Sequence, residues 1–167
     1  YGALDFREKA PIASTKNMFL DNNGEIINLQ SSEGALSVGV PGTISGLFAV
    51  YRKFGSIPLD SIFDPALKLA KKGFKLTKRQ AKLFNENKNK ILLNSDSVSV
   101  FQKNFKEGDI FKNIEFYKTL KLILEKGEAA FYNGKISNEI INYISKKGGI
   151  LTKEDFIKYQ SIWRNPY

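Results

Sequence analysis

The periodicity of this chain changes within residues 35–48, which read Ala35-Leu36-Ser37-Val38-Gly39-Val40-Pro41-Gly42-Thr43-Ile44-Ser45-Gly46-Leu47-Phe48. Residues 35–40 predict a strand that ends at the following Pro-Gly pair. Beyond that pair, apolar residues recur with the spacing of an amphipathic helix, at Ile44, Leu47, Phe48 and Tyr51. The segment therefore predicts a tight turn from a strand into a helix, in which glycine permits a sharp backbone path and close packing.

The residues before this turn predict short strands. Residues 3–7 alternate apolar and charged side chains, which is typical of a half-buried strand. Met18–Leu20 is a short apolar run, and the hairpin-type turn Asp21–Gly24 allows Glu25–Leu29 to return as its partner strand.

The residues after the turn predict helices, six in all along the chain. The second is expected to be kinked or split at Pro65, with Asp64 as a cap for its second part. Capping boxes are expected to begin the third and sixth helices, in Thr77–Gln80 and Thr152–Asp155. Glycines are expected to end the other helices, at Gly55, Gly73, Gly127 and Gly148-Gly149.

This order, strands first and then mostly helices, predicts an α+β fold and argues against a doubly wound parallel sheet. The predicted strands are few and short, near the N-terminus and, at residues 161–163, near the C-terminal end. A sheet this small usually needs partner strands, and we expect them to come from other parts of a longer gene product. Residues 1–167 contain no apolar run of membrane-spanning length, and both ends, at Tyr1 and Tyr167, are expected to be cuts within that longer product.

The formal net charge of +9 raises the question of nucleic-acid binding. Such binding usually clusters basic residues with aromatic ones and uses arginine for bidentate contacts. Here the basic residues are nearly all lysines, scattered over the polar faces of several predicted helices, and arginine occurs only at Arg7, Arg52, Arg79 and Arg164. We therefore interpret the charge as a solvated lysine surface and expect no nucleic-acid partner.

Cysteine and histidine are both absent from the sequence. The absence of cysteine excludes disulfides, zinc–thiolate sites and a cysteine nucleophile within this chain. Without either residue a zinc site is very improbable, and a Ser-His-Asp triad cannot be built from this chain alone. We expect no metal and no cofactor here.

Two segments resemble catalytic motifs but have simpler structural explanations. The glycines of residues 39–46 fit neither a dinucleotide-binding nor a P-loop pattern, and Ser45 is not centred as a nucleophile elbow requires. The carboxylates of residues 148–156 follow a glycine helix stop and fit the capped start of the next helix.

The segment Asp5-Phe6-Arg7-Glu8-Lys9-Ala10-Pro11 contains the strongest candidate for a binding residue. Arg7 follows a short predicted strand and precedes a proline-fixed loop, a position that can expose its side chain to a cleft. A guanidinium group matches a carboxylate bidentately. Chemistry alone favours a surface ion pair with Asp5, Glu8 or another acid, because such pairs are common; a contact with a substrate carboxylate is the alternative.

An ordered set of segments along the whole chain resembles the γ-glutamyltranspeptidase family. The matching segments are Leu4-Asp5-Phe6-Arg7-Glu8-Lys9-Ala10-Pro11, Asn17-Met18-Phe19-Leu20-Asp21, Val38-Gly39-Val40-Pro41-Gly42-Thr43, Gly46-Leu47, Lys53-Phe54-Gly55, Asp64-Pro65-Ala66, Leu69-Ala70-Lys71-Lys72-Gly73-Phe74, Phe131-Tyr132-Asn133-Gly134, Gly148-Gly149-Ile150-Leu151-Thr152-Lys153-Glu154-Asp155-Phe156 and Tyr159. The specificity of the match lies in the ordered set.

The resemblance implies an N-terminal-nucleophile hydrolase with an αββα sandwich, made as a proenzyme that cuts itself into a large and a small subunit. The new N-terminal threonine of the small subunit attacks the γ-glutamyl amide of glutathione or a related compound. The acyl group then passes to water or to an amino-acid or peptide acceptor. The resemblance also implies that the protein is periplasmic or secreted.

Under this resemblance, residues 1–167 form part of the large subunit and contain no catalytic residue, because the nucleophilic threonine lies in the small subunit. The chain by itself is expected to be inactive. The family's arginine that grips the α-carboxylate of the γ-glutamyl group corresponds to Arg7, which is thus the expected substrate-binding residue. The expected partners are the small-molecule substrate and the small subunit of the same precursor.

Two alternatives remain at this stage. A related superfamily member could act on another γ-glutamyl or acyl amide, as a poly-γ-glutamate transpeptidase or a cephalosporin acylase does. A protein of a different class, a non-catalytic binding module, could instead use the lysine surface to bind an acidic polymer, in which case its binding would depend strongly on salt.

Overall fold

The structure is a computed structural model that describes residues 2–93 and 100–166. Tyr1 and Tyr167, the expected cut ends, lie outside the described residues. Length alone suits one compact domain, whereas the chain divides into two compact units. The first unit comprises Tyr1–Ser56 and Lys126–Tyr167, and the second comprises Ile57–Glu125.

The described residues form four short strands and seven helices, in the chain order β1 Ala3–Asp5, α1 Thr43–Phe54, α2 Leu59–Lys72, β2 Phe74–Lys75, α3 Lys78–Leu93, β3 Ile110–Phe111, α4 Ile114–Lys126, α5 Ala129–Tyr132, α6 Lys135–Lys146, α7 Lys153–Lys158 and β4 Ile162–Arg164. This composition, mostly helical with a few short strands, confirms the predicted α+β class.

The first unit joins the two ends of the described chain. Strand β1 pairs with β4 in antiparallel register, so that Leu4 lies opposite Trp163 and Asp5 lies opposite Ile162. This pairing confirms the strands predicted near both ends. The core beside them is formed by buried residues that come from distant parts of the sequence, namely Val40, Tyr132, Ile144, Leu151, Phe156 and Tyr159.

The second unit has a core of aromatic rings. Leu76, Ala81 and Phe105 are buried there. The rings packed around them include Phe84 and Phe111, whose centroids lie 5.0 Å apart. Strands β2 and β3 pair beside this core over two residues each. Neither strand was predicted, because two residues are too few to show a period.

The helix boundaries agree with most of the predicted caps. The capping boxes form at Thr77–Gln80 and at Thr152–Asp155. Gly73, which follows α2, adopts a φ of 85° that favours glycine. Helix α2 runs unbroken through Pro65, so the predicted split there is wrong. Asp64 lies inside the helix and forms an ion pair with Lys68 at 2.6 Å in place of capping a second helix.

The strand predicted over residues 35–40 is also wrong in its first half. Residues Ala35–Ser37 form a 3₁₀ turn, because Gly34, with a φ of 85°, reverses the chain just before them. Only Val40 pairs as a strand would, in an isolated antiparallel bridge to Lys9. The turn into helix α1 at residue 43 is as predicted.

The hairpin predicted over residues 18–29 forms as a turn with little strand. Asp21 accepts backbone hydrogen bonds from Asn23 and Glu25 on its carboxylate, each at 2.9 Å. Within residues 18–29, the two arms of the hairpin form one antiparallel bridge, between Leu20 and Ile26. Ile26, Ile27 and Leu29 of the returning segment are all exposed, so little apolar burial stabilises this half of the hairpin.

Asp155 connects helix α7 to the loop that follows β1. Its carboxylate accepts hydrogen bonds from the backbone of Ile12 at 2.6 Å and from the backbone and hydroxyl of Thr152, both at 2.7 Å. Burial alone would raise the pKa of the Asp155 carboxyl, but these donors outweigh it and lower the pKa below its ordinary value. The acid-rich segment is therefore a structural joint, as its capping pattern predicted.

We predict that Asp155→Ala lowers the free energy of unfolding of the full-length protein by about 2–4 kcal/mol, because it removes a cap and leaves the amide of Ile12 without its charged acceptor. The matched control is Glu154→Ala, since Glu154 is exposed and forms a surface ion pair with Lys158 on the same helix; its effect is expected to stay within about 0.5 kcal/mol. Denaturant unfolding measures both, and equal effects of the two variants would contradict this role for Asp155.

The contribution of Asp155 to the free energy of unfolding depends on pH. Because the pKa of the Asp155 carboxyl is lowered in the folded protein, this contribution is present above the ordinary value of 3.8 and is lost as the pH falls below it.

Candidate functional site

A cleft of about 580 Å³ lies in the first unit, between β1 with its following loop and the turn into α1. Its size is that of a typical small-molecule site. Residues Leu4–Glu8 line one wall, and Gly39 and Pro41–Thr43 line the other. The glycine-rich turn into α1 and the segment around Arg7 therefore meet at one site.

Arg7 lies in this cleft with its side chain 84% exposed. Its guanidinium Nε donates to Oε1 of Glu8 at 3.3 Å. Within the described part of the chain, the two terminal nitrogens of Arg7 make no hydrogen bond or ion pair. The two-nitrogen fork that suits a carboxylate is thus open to a ligand.

Asp5, the other acid considered as a partner for Arg7, is paired elsewhere. Its Oδ2 accepts from Nε of Arg164 at 2.9 Å and from Nη2 at 2.6 Å, across the β1–β4 pair. The Arg164 hydrogen bond, together with the backbone amide of Arg7, lowers the pKa of Asp5. Strand β4 thereby removes Asp5 as a competitor for the side chain of Arg7.

Glu8 also remains ionised beside Arg7. A hydrogen bond from its own backbone amide and the hydrogen bond from Arg7 lower the pKa of its carboxyl. At the opposite wall, the cleft includes Thr43, the first residue of helix α1. The amide dipoles at that helix N-terminus add partial positive charge to the positive charge of Arg7.

Two stacked tyrosines support the cleft from inside the core. The rings of Tyr132 and Tyr159 lie 5.5 Å apart with 7° between their planes. The hydroxyl of Tyr132 donates to the carbonyl of Pro41 at 2.8 Å and accepts from the amide of Ser45 at 3.2 Å. The hydroxyl of Tyr159 donates to the carbonyl of Arg7 at 2.9 Å. Each tyrosine therefore holds the backbone of one wall.

Both hydroxyl groups remain protonated donors at neutral pH. Burial raises the pKa of Tyr132 to about 12. Burial and the nearby charges of Asp5 and Glu8 raise the pKa of Tyr159 as well. Sequence reasoning did not identify these roles, because each tyrosine reaches a partner about 90 or more residues away, which local pattern does not reveal.

Gly42 lies where the two walls come closest. A Cβ atom at this position would lie 2.0 Å from the carbonyl oxygen of Phe6 and 2.0 Å from the hydroxyl of Tyr159. Only glycine leaves room for β1, the α1 turn and Tyr159 to meet there. The sequence predicts close packing at this glycine-rich turn but does not identify the partners.

In residues 2–93 and 100–166 there is no group of three or more His, Cys, Asp or Glu side chains that could hold a metal ion. Among the helices described, none combines the length and the apolar character that a membrane crossing requires.

Comparison with known proteins identifies the family. The sequence signature of the family described as Gamma-glutamyltranspeptidase matches residues 1–167. The chain belongs to the γ-glutamyltranspeptidase family, as the ordered set of segments predicted.

Individual relatives agree over nearly the whole chain. It is 36% identical over 168 residues to the glutathione hydrolase proenzyme of Escherichia coli (strain K12), covering 98% of this chain and 29% of that protein. It is 33% identical over 163 residues to the glutathione hydrolase proenzyme of Pseudomonas aeruginosa, with the same coverage of each. The crystal structure of Helicobacter pylori γ-glutamyltranspeptidase matches with a TM-score of 0.90 and 40% identity, over 99% of this chain and 49% of that one. The chain thus spans about three tenths of the two proenzymes.

We predict that Gly42→Ala destabilises the full-length protein by about 1–3 kcal/mol or more, since the added methyl group must displace backbone as well as the Tyr159 hydroxyl. The control is Gly2→Ala, whose Cβ would make only ordinary contact with Trp163 at 3.4 Å; we expect a change within about 0.5 kcal/mol. Thermal unfolding of both variants provides the comparison. If Gly42→Ala unfolds at the wild-type temperature, the close approach at Gly42 is not a constraint on this fold.

Proposed function

We propose that this chain is part of the large subunit of a glutathione hydrolase and γ-glutamyltransferase, and that Arg7 binds the α-carboxylate of the γ-glutamyl donor. The observation that carries the proposal is the open guanidinium fork of Arg7 within a cleft of ligand size. Membership of the γ-glutamyltranspeptidase family and the glutathione hydrolase relatives support the reaction class.

In this proposal the chemistry is shared between two parts of one precursor. The nucleophilic threonine of the small subunit attacks the γ-carbonyl carbon, and the amine of the leaving group departs with a proton. The acyl-threonine ester then reacts with water or with the amino group of an acceptor. This chain supplies no reacting group and contributes one wall of the donor site, which fits its coverage of part of each proenzyme relative.

Arg7 is suited to fix the donor in the orientation that the attack requires. A carboxylate placed between its terminal nitrogens would form charge-assisted hydrogen bonds, with geometry that lysine cannot reproduce. The N-terminus of α1 on the facing wall would favour the same negative charge. Glu8, on the other side of the guanidinium group, holds Nε and leaves the fork turned to the ligand.

The alternatives from the sequence are less well supported. Two relatives that are named glutathione hydrolase proenzymes are 36% and 33% identical to this chain over the aligned residues, which favours the γ-glutamyl reaction over that of another acyl amide. Several lysines form ion pairs one turn away on their own helices, in the pairs Lys68–Asp64, Lys82–Glu86, Lys121–Glu125, Lys135–Glu139 and Lys158–Glu154. Such pairing is typical of a solvated helix surface, and no nucleic-acid partner is proposed.

The proposal extends to partners and location. The small subunit of the same precursor and a γ-glutamyl compound are the proposed partners, in keeping with the proenzyme names of the relatives. The proposed location is periplasmic or secreted, by the family resemblance. No cofactor is proposed, since acyl transfer through a threonine ester needs none.

We predict that Arg7→Ala in the full-length processed enzyme lowers kcat/KM for a γ-glutamyl donor by about 30- to 3,000-fold. Truncating one side of a bidentate charged pair costs about 2–5 kcal/mol, and about 1.4 kcal/mol corresponds to a factor of ten. Arg7→Lys is expected to recover part of the loss, because lysine keeps the charge without the fork. Steady-state kinetics with the normal donor and with an analogue lacking the α-carboxylate makes the measurement.

The matched control is Arg52→Ala, because Arg52 is an exposed arginine that forms an ion pair with Glu128 and does not line the cleft. It should leave kcat/KM within a factor of about two. The clamp assignment is wrong if Arg7→Ala slows both donors equally or leaves the normal donor unaffected. Autoprocessing of the Arg7 variant should proceed, because in this proposal Arg7 contacts the substrate and not the site of autocatalytic cleavage.

A further inference from the structure

The backbone of Arg7 is held by a contact that spans almost the whole chain. The hydroxyl of Tyr159 donates to the carbonyl oxygen of Arg7 at 2.9 Å, across 152 positions. The side chain of Arg7 is by contrast largely exposed, and its Nε forms an ion pair with Glu8. An exposed arginine has high rotamer freedom. The position and direction of the Arg7 backbone set which of its rotamers can reach the cleft.

Tyr159 is itself fixed in place. Tyr159 is only 6% exposed, and its ring stacks in parallel on the ring of Tyr132. The hydroxyl lies against Gly42, where a single added carbon would collide with it. The donor atom therefore has little freedom to leave the Arg7 carbonyl.

A second contact ties the same two segments together. The ammonium group of Lys9 donates to the carbonyl of Gln160 at 3.0 Å and lies 5.0 Å from the centre of the Tyr159 ring. Backbone hydrogen bonds between Lys9 and Val40, of 3.2 and 2.7 Å, attach this strand end to the opposite wall. Tyr159 and Gln160, which follow α7, thus bond to Arg7 and Lys9, the residues on either side of Glu8.

We propose that Tyr159 is a positioning residue for donor binding, whose hydroxyl holds the Arg7 peptide so that the guanidinium fork faces the cleft. The inference rests on the proposed role of Arg7 as the carboxylate clamp. Tyr159 touches no substrate, and acts only through Arg7. Its removal therefore weakens recognition of the α-carboxylate and leaves the reaction at the γ-carbonyl unchanged.

The test is Tyr159→Phe in the full-length processed enzyme, since phenylalanine keeps the buried ring and removes only the hydroxyl. With the normal γ-glutamyl donor we expect kcat/KM to fall by about 3- to 10-fold, the effect of one lost hydrogen bond, through a higher KM at nearly constant kcat. With the analogue that lacks the α-carboxylate we expect no change. In an Arg7→Ala background the substitution should have no further effect on either donor.

The control is Tyr132→Phe, which removes the stacked partner's hydroxyl from Pro41 and Ser45 on the other wall. It is expected to lower stability without changing the ratio of kcat/KM between the two donors. Because both donors are turned over by the same folded molecules, this ratio is independent of how much of a variant folds. A reduced ratio in Tyr132→Phe equal to that in Tyr159→Phe would overturn the proposal and assign the effect to packing.

The outcomes separate this inference from the function on which it rests. If Arg7→Ala loses preference for the α-carboxylate and Tyr159→Phe retains it, the positioning role is wrong and the clamp stands. If Arg7→Ala also retains the preference, the clamp and the positioning role are both wrong. If the wild-type enzyme turns over no γ-glutamyl donor, the proposed function itself is wrong.

Discussion

The fold of the first unit depends on the close approach at Gly42, where β1, the start of α1 and the Tyr159 hydroxyl meet. This contact has no room for a side chain, so the two walls of the cleft can come together only around a glycine. The stacked tyrosines hold the walls there with hydrogen bonds to backbone carbonyls. Burial keeps both hydroxyls protonated, because it raises the pKa of each tyrosine.

In the described part of the first unit, the acidic side chains near the cleft are paired, whereas the terminal nitrogens of Arg7 remain open to a ligand. Asp5 is neutralised by Arg164 across the strand pair, and Asp155 is satisfied by backbone and hydroxyl donors inside the unit. Glu8 engages one nitrogen of Arg7. What remains in the cleft is a guanidinium fork with two donors available, which is the feature that a carboxylate ligand requires. The proposed role of Arg7 therefore depends on how the neighbouring acids are paired.

The sequence predicted the features that depend on local pattern. The start of α1 at Thr43 and the capping boxes of α3 and α7 follow from periodicity and from capping chemistry within a few residues. The predicted split of α2 at Pro65 was wrong, since the helix runs without a break from Leu59 to Lys72. The strand over residues 35–40 failed because the conformation of Gly34 redirected the chain.

The candidate site was predictable in part. Chemistry alone favoured a surface ion pair of Arg7 with a nearby acid, and the structure has one, between Nε of Arg7 and Glu8. The role of Arg7 in substrate binding comes from the family resemblance and is a proposal. The pairing of Asp5 with Arg164 and the tyrosine supports join residues 87 to 159 positions apart, and such contacts exist only once the chain has folded. Local sequence pattern does not reveal such contacts, so the hydrogen bond between Tyr159 and the Arg7 carbonyl was found only in the structure.

The most direct test of this account is a crystal structure of the full-length processed protein with a γ-glutamyl ligand bound. The account predicts that the ligand's α-carboxylate lies about 2.7–2.9 Å from the terminal nitrogens of Arg7, with the Tyr159 hydroxyl still bonded to the Arg7 carbonyl. A structure in which other residues hold the α-carboxylate, while Arg7 points to solvent or remains paired only with Glu8, would contradict it.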